Sequence, residues 1–583
     1  MRRSKPLAVI AGAALVVLAA CGGGDDGTTS EGPGEFEDTL GGTKDPEAVG
    51  PAAEVEGAAT GGTMTVYLPG DPGPSDLDPT NGWSVTGNSI QQALTSRSLT
   101  QYKRNEDGSI LLVPDLATDL GTPNEDFTEW TFTIKDDVKW ENGDPITPEE
   151  VAFGISRSMD SEKFPAGPGT EYSQTYFFGA GEYEGPYTDK DEWGGIEVNG
   201  QDITIKMATP FPDMDYWGSF MAMGPAPLGK ASDPPDYGLN IVSNGPYKVE
   251  SFTPNEELVL VKNDQWDPAT DPARHQYVDK WIFNFNADQA QVDQIMLSDS
   301  AEQASAMSTA IDAANYDGLK EALGENLIKQ SAQCTSFIAP DYTKITEIEV
   351  RKALAYAYPY EDVWLAGGEI AGVTRTPANS VMPPGMAGKK EYFVDGEQFT
   401  FNPEKAKALL EEAGYAPGEY KIDMVYYEVD DLAVAVQEQV TAGFEEAGFT
   451  VKATPVQVSP YDIWLNPDDK LNKTLNLRAV NWCSDWPSGL TMLPPLLKGG
   501  ATYNTAFFDE PAINDEMLAI PSLPLEEQAA AWGELDEKIG TEYLPLIPTA
   551  FRNDLFAFGA NVGNATGDAA FGAPNYKDLY LTQ

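Results

Sequence analysis

Large apolar residues along this chain follow two periods, and the two alternate. Trp130, Phe132 and Ile134 are separated by polar residues, the period of a half-buried strand. Leu432, Val436, Val440 and Phe444 recur every fourth position up to Gly448, which predicts a helix with one buried stripe. Read the same way, strands fall at 63–67, 202–207, 247–252, 257–262, 281–286, 421–427 and 449–458, and helices at 88–99 and 347–357. Thr147-Pro148-Glu149-Glu150 is a capping box with proline at the first helical position, so a helix starts there and runs to about residue 159. Another helix spans 403–413, behind Asn402 as N-cap, and stops at Gly414. Residues 164–193, rich in Gly, Pro and Tyr, are expected as an irregular excursion. The helix–strand–helix–strand run of 403–458 argues for an α/β domain.

A strand end at 479–482 then delivers Asn481-Trp482-Cys483-Ser484-Asp485-Trp486-Pro487-Ser488-Gly489. Strand ends are where α/β sheets place ligands. Two indoles and a lone carboxylate suit a ligand that is part apolar and part cationic, with Asp485 as the anchor for an amino group. The alternative is a structural loop in which Asp485 caps nearby backbone N–H groups.

The N-terminus changes the picture by fixing a compartment. Arg2, Arg3 and Lys5 precede an uncharged apolar run over 6–20, which has the form of a secretory signal and is short for a spanning helix. It closes on Leu18-Ala19-Ala20-Cys21, which resembles the lipobox of bacterial lipoproteins, with Cys21 lipidated. An ordinary signal with a chance cysteine is the alternative. Residues 22–61 hold few large apolar side chains, so burial there does not offset the entropy of ordering, and a flexible tether is expected. These features imply a protein lipid-anchored on the extracytoplasmic side of the cell membrane.

Charge and rare residues exclude several functions. The chain has 92 acidic residues against 37 basic ones, a net charge of −55. Nucleic-acid binding needs basic patches and is excluded. Such acidity serves solubility, and it also favours cationic ligands. The one histidine, His275, lies in a charged segment and reads as a surface residue. With no CxxC pair beside it, neither a zinc site nor a histidine-based triad is expected, and no cofactor is implied. Besides Cys21 there are two cysteines, Cys334 and Cys483, which form either one disulfide or two buried thiols. About 520 residues beyond the tether exceed a single core, so two or three domains are expected.

Five stretches carry a resemblance. They are Trp130-Thr131-Phe132-Thr133-Ile134-Lys135; Val138-Lys139-Trp140-Glu141-Asn142-Gly143-Asp144-Pro145-Ile146-Thr147 with Glu149-Glu150-Val151 behind it; Ser243-Asn244-Gly245-Pro246-Tyr247; Glu349-Val350-Arg351-Lys352-Ala353-Leu354-Ala355-Tyr356-Ala357; and Trp482-Cys483-Ser484-Asp485-Trp486. In this order, over roughly residues 62–583, they resemble family 5 solute-binding proteins, the peptide- and nickel-binding class of ABC importers. The resemblance implies a two-lobed, periplasmic-binding-protein-like α/β fold (type II, cluster C) and a non-enzymatic clamp. Lobe I would comprise 62–97, 236–330 and a C-terminal return at 549–583, with an inserted subdomain at 98–235; lobe II would be 331–548. Asp485 would hold the ligand α-amino group, with Cys483 beside it and Trp482 and Trp486 as walls. Trp83, Ser84 and Val85 would lie along the ligand, and Cys334 would be bonded to Cys483. The partners implied are a peptide or other small solute and a membrane permease, with the binding protein a monomer.

One departure bears on the ligand's other end. Some peptide binders carry an arginine three residues before the tryptophan of this loop, meeting the ligand carboxylate. Arg478 stands four before Trp482, and on a regular strand that shift turns it to the other face. One histidine also gives no cluster of imidazoles for nickel. Peptide capture is the leading expectation. The competing ones are an oligosaccharide or polyol binder on the same fold, a secreted glycosidase using two carboxylates, and a structural surface protein.

Overall fold

The structure, a computed structural model, describes residues 43–105, 108–189 and 193–582. The signal segment and Cys21 lie outside the described residues.

The sheet that positions everything else begins at β1 (Thr63–Pro69), where Met64, Val66 and Leu68 are buried and alternate with Thr63, Thr65 and Tyr67. Next comes α1 (Val85–Leu94). The chain then leaves the main sheet for a four-stranded one built on β2 (Glu129–Thr133) and β3 (Asp202–Lys206), with α2 (Pro148–Arg157) between them in sequence. It returns as β4 (Tyr247–Thr253), β5 (Glu257–Lys262), β6 (Lys280–Ala287) and β7 (Ala306–Ser308), followed by the long β8 (Leu327–Pro340). An α/β run follows: α3 (Ile348–Ala357), α4 (Pro403–Glu412), β9 (Lys421–Tyr427), α5 (Asp431–Glu446) and β10 (Thr450–Val456). β11 (Leu477–Cys483) and β12 (Ile547–Phe558) complete the main sheet, whose order is β11-β8-β12-β7-β1-β6-β5-β4. A short strand, Arg375–Thr376, adds to β12. β1 runs parallel to β6 and β7, while β8 is antiparallel to both β11 and β12.

Two apolar cores hang on this sheet. One gathers Met64, Val66, Ile90, Leu260 and Phe283 around β1 and α1. The other gathers Val350, Leu354, Leu410, Ile422 and Phe444 from α3, α4, β9 and α5. β12 serves both, giving Ile547 and Ala550 to the second and Phe556 and Phe558 to the first; β8 does likewise, with Ile338 in the second and Ile328 packed on the first. These long strands therefore join the two lobes of the α/β fold. A further cluster unites Trp130, Phe132 and Ile155 with Trp486, Leu490 and Trp532. Each such side chain taken from water is worth roughly 1.5–3 kcal/mol.

The capping box is present: Thr147 Oγ1 accepts from Glu150 N, and Glu150 Oε2 accepts from Thr147 N, each at 3.2 Å. Asn402 caps α4 by accepting from Lys405 N at 3.0 Å, and Gly414 has φ +93°. α1 differs from expectation by starting at Val85 and stopping at Leu94. Ser84 is its N-cap, with Oγ accepting from Gly87 N at 3.0 Å, so a cap upstream of the apolar spacing sets the start. In α5 the stripe is buried from Val440 to Phe444, whereas Leu432 is 54% exposed.

Two expectations need correction. Residues 43–61 were expected in a flexible tether, yet they lie along the body. Thr43–Lys44 pairs in parallel with Ile110–Pro114, Lys44 Nζ is 2.6 Å from Asp215 Oδ2, and Ala52 N donates to Asp271 O at 2.8 Å. Backbone hydrogen bonds and an ion pair hold this stretch, which a count of apolar residues does not register. His275 is not a free surface residue. Its Nδ1 is 2.8 Å from Asp578 Oδ1, its Nε2 is 3.0 Å from Ala53 O, and its ring stacks on Tyr277.

A candidate ligand-binding cleft

Register builds the site. β11 lies beside β8 with Trp482 opposite Thr335 and Cys483 opposite Cys334, and the two cysteines form a disulfide across 149 residues of sequence. Beyond Cys483 the chain leaves the strand, held by Ser484 N donating to Gln333 O at 3.0 Å. Gln333 itself has φ +56° at a register shift between Ser331 and Cys334. A non-glycine residue in that region costs of order 1–3 kcal/mol and is characteristic of functional sites.

This places Asp485 at the edge of a cavity of about 300 Å³. Oδ1 accepts from Trp83 Nε1 at 2.8 Å, and Oδ2 accepts from the Tyr172 hydroxyl. Both donors are neutral, and no basic side chain pairs with Asp485 among the described residues. Burial pushes its carboxyl up to about 6, against the pull of the two donors. Burial and the Asp485 charge raise the Tyr172 hydroxyl far above its ordinary range, and the same two causes raise the neighbouring Glu171. The site is thus an uncompensated negative charge in an aromatic setting.

The cavity walls are Trp83, Phe220, Trp482, Tyr503 and Phe571, with Asn88, Gln333 and Ser484 as polar points. Asn88 Oδ1 and Gln333 Oε1 are buried acceptors with no hydrogen-bond partner among the described residues. Such atoms cost free energy unless something donates to them. Trp482 is fixed as a wall, its Nε1 donating to Thr491 O at 2.7 Å and its ring 4.7 Å from that of Tyr503. A second cavity of about 310 Å³ adjoins the first, sharing Val85, Ala332, Cys483 and Phe571.

The structure brings Asp485, Trp482, Cys483, Trp83 and Val85 to the first cavity, and Ser84 to the second. Trp486, expected as a wall, lines neither. It is 1% exposed, donates from Nε1 to Asp213 Oδ2 at 2.7 Å and packs 4.5 Å from the Tyr172 ring, so it supports the site from behind. Arg478 lines neither cavity, because its side chain is drawn to partners elsewhere. It is buried, with Nη1 3.0 Å from Asp341 Oδ2 and Nε 2.8 Å from Asn472 Oδ1. Tyr172, Tyr503, Phe220 and Phe571 escaped sequence reasoning. For Tyr172 a signal existed: four tyrosines, at 172, 176, 183 and 187, crowd a stretch with little regular structure.

The fold and cleft define a two-lobed solute-binding scaffold of the α/β class. The profile of the bacterial extracellular solute-binding proteins, family 5 Middle, matches residues 112–504, and the chain belongs to that family. Its relatives include the periplasmic oligopeptide-binding protein OppA of Salmonella typhimurium, 25% identical over 424 residues that cover 68% of this chain and 71% of OppA. Among solved structures, clavulanic acid biosynthesis oligopeptide binding protein 2 superposes with a TM-score of 0.79 at 21% identity, covering 94% of this chain and all of the other. The periplasmic binding protein DppA of Helicobacter pylori, solved in complex with the peptide STSA, gives 0.67 at 18% identity, covering 90% and 99%.

Proposed function

We propose that this chain is the substrate-binding protein of an ABC importer, capturing peptides in the cleft and passing them to a membrane permease. The observation that carries the reading is Asp485, held by two neutral donors and left without a cation. A peptide α-ammonium supplies that cation, and the low-dielectric aromatic walls strengthen the pair. Asn88, Gln333 and Ser484 on the cavity wall suit polar groups of a ligand. Trp83, Trp482, Cys483 and Val85 contact the ligand in this reading, Ser84 orders α1 beside it, and Trp486 backs Tyr172. The protein binds as a monomer, without turnover, and Cys21 carries the lipid that retains it outside the cytoplasm. Loss of fatty-acid labelling in Cys21→Ser tests the anchor.

The match to the bacterial extracellular solute-binding proteins and the oligopeptide-binding relatives support this reading. Titration calorimetry with di- to pentapeptides, their Nα-acetylated forms and a cello-oligosaccharide panel tests it. Free peptides should bind and acetylated ones should not. Binding of the oligosaccharides alone would transfer the same aromatic cavity to the polyol alternative.

A further inference from the structure

An ammonium at Asp485 leaves the second cavity unexplained. Its wall carries Arg552, the one basic side chain among the described residues lining either cavity. Arg552 lies on β12, and the register runs Cys483, Cys334, Arg552 across β11, β8 and β12. At roughly 4.8 Å per strand, its backbone is about 10 Å from that of Cys483. An extended ligand advances about 3.4 Å per residue, so roughly three residues cover that spacing.

The guanidinium is only partly engaged. Its Nε donates to Asp554 Oδ1, and its Nη2 lies against the same oxygen as an ion pair, each at 2.9 Å. Of its five N–H groups, the rest have no protein partner among the described residues, and the side chain is 48% exposed. Directly opposite on the neighbouring strand is Arg375, which is itself held by Glu369 at 2.6 Å. Like charges so placed repel, and an anion beside them relieves the repulsion. Asp71, on the same cavity, is occupied by Gly73 N and the Thr86 hydroxyl. Arg478 is consumed by Asp341 and Asn472.

We infer that Arg552 receives a carboxylate of the ligand, across the disulfide from Asp485. The inference rests on the peptide reading above. Two sources supply the group, the ligand C-terminus or an acidic side chain, and a planar fork of N–H donors matches either.

Calorimetry with Ala-Ala-Ala, Ala-Ala-Ala-amide, Ala-Glu-Ala-amide and Ala-Gln-Ala-amide, on the wild type, Arg552→Gln and Arg552→Lys, decides. A C-terminal source predicts a roughly 10- to 100-fold loss on amidation of Ala-Ala-Ala. A side-chain source predicts that loss between the Glu and Gln amides instead. Either ratio should collapse in Arg552→Gln and be partly restored in Arg552→Lys. Equal ratios in the wild type and Arg552→Gln overturn the inference while leaving the peptide reading intact. No binding of any of the four by the wild type overturns the peptide reading, and this inference with it.

Discussion

Asp115 and Asp271 sit between two arginines, whereas Asp485 sits between an indole and a phenol. Arg97 Nε is 2.6 Å from Asp115 Oδ1, and Arg274 reaches Asp115 at 2.9 Å and Asp271 at 3.1 Å, all four side chains at 0% exposure. Burial disfavours the Asp271 charge, but Arg274 and Arg97 overcome it and hold the carboxyl well below the usual range. At Asp485 burial prevails and the carboxyl rises to about 6. The first cluster is closed: it consumes its own charge and ties the end of α1 to residues 115 and 271–274. The second is open: the protein orients the carboxylate and leaves its charge for something else. Burial of an acid therefore distinguishes nothing by itself; the charge of its partners does.

The largest expected effect comes from opening the closed cluster. Arg274→Met leaves Asp115 and Asp271 sharing one guanidinium, and should cost roughly 3–5 kcal/mol of folding stability. Urea unfolding reads it directly, and an unmoved midpoint would show that the cluster does not stabilise the fold. Asp485→Asn should do the reverse. Peptide affinity falls by about 2–5 kcal/mol, while the unfolding midpoint stays level or rises, because a desolvated charge has been removed. A variant that lost stability and kept affinity would return Asp485 to the role of a structural cap.

Legibility divides along the same line. The lobes' secondary structure is written in local patterns: the alternation of Trp130, Phe132 and Ile134, the Thr147 capping box, the stop at Gly414. Asp485, Trp482 and Cys483 were visible because nine consecutive residues carry the chemistry. Trp83 came forward through family likeness alone, and its bond to Asp485 spans 402 positions. Tyr172 lies in a stretch with little periodicity, where the crowding of tyrosines marks the segment but not which hydroxyl reaches the anchor. The Trp486 error has the same origin. Proximity to Asp485 in sequence suggested a wall, but the side chain turns into the cluster of Tyr172, Phe211 and Trp217. Residues 43–61 carry no such local pattern, because main-chain groups there are held by partners 68 (111 minus 43) to 222 residues away.

Acid separates the two clusters at intermediate magnitude. Ligand ammonium requires ionised Asp485, which in the free protein titrates near 6. Affinity should hold above pH 7 and fall about tenfold by pH 5, and Asp485→Asn should be flat over that range. The stability sign is opposite. The folded carboxyl binds its proton more tightly than the unfolded one, near 4, so this group costs stability above pH 6 and that cost disappears between pH 6 and pH 4. Asp271, with its folded value depressed, instead contributes stability present above the unfolded value and lost as pH falls through the folded one. Calorimetry across pH with a buffer-matched unfolding series reads both.

Lys44 offers the smallest and sharpest test, since it lies between the two extremes. Its ammonium is 2.6 Å from Asp215 and 4.1 Å from the Tyr216 ring centre, yet the lysine side chain is 29% exposed. Behind it, burial raises the Asp213 carboxyl, while Trp486 and Lys44 pull it down. An ion pair open to water on one side is worth less than a closed one, so Lys44→Met should cost no more than about 1 kcal/mol. Salt discriminates further. At 1 M NaCl, where the Debye length falls to about 3 Å, the Lys44 contribution should shrink, because water and salt reach the cation. The loss in Arg274→Met should persist, because its cluster excludes solvent. A Lys44 effect that is large and insensitive to salt would mean that the strap over residues 43–61 shields its ion pair as fully as the core shields Asp115, and exposure of the cation would then cease to rank these sites.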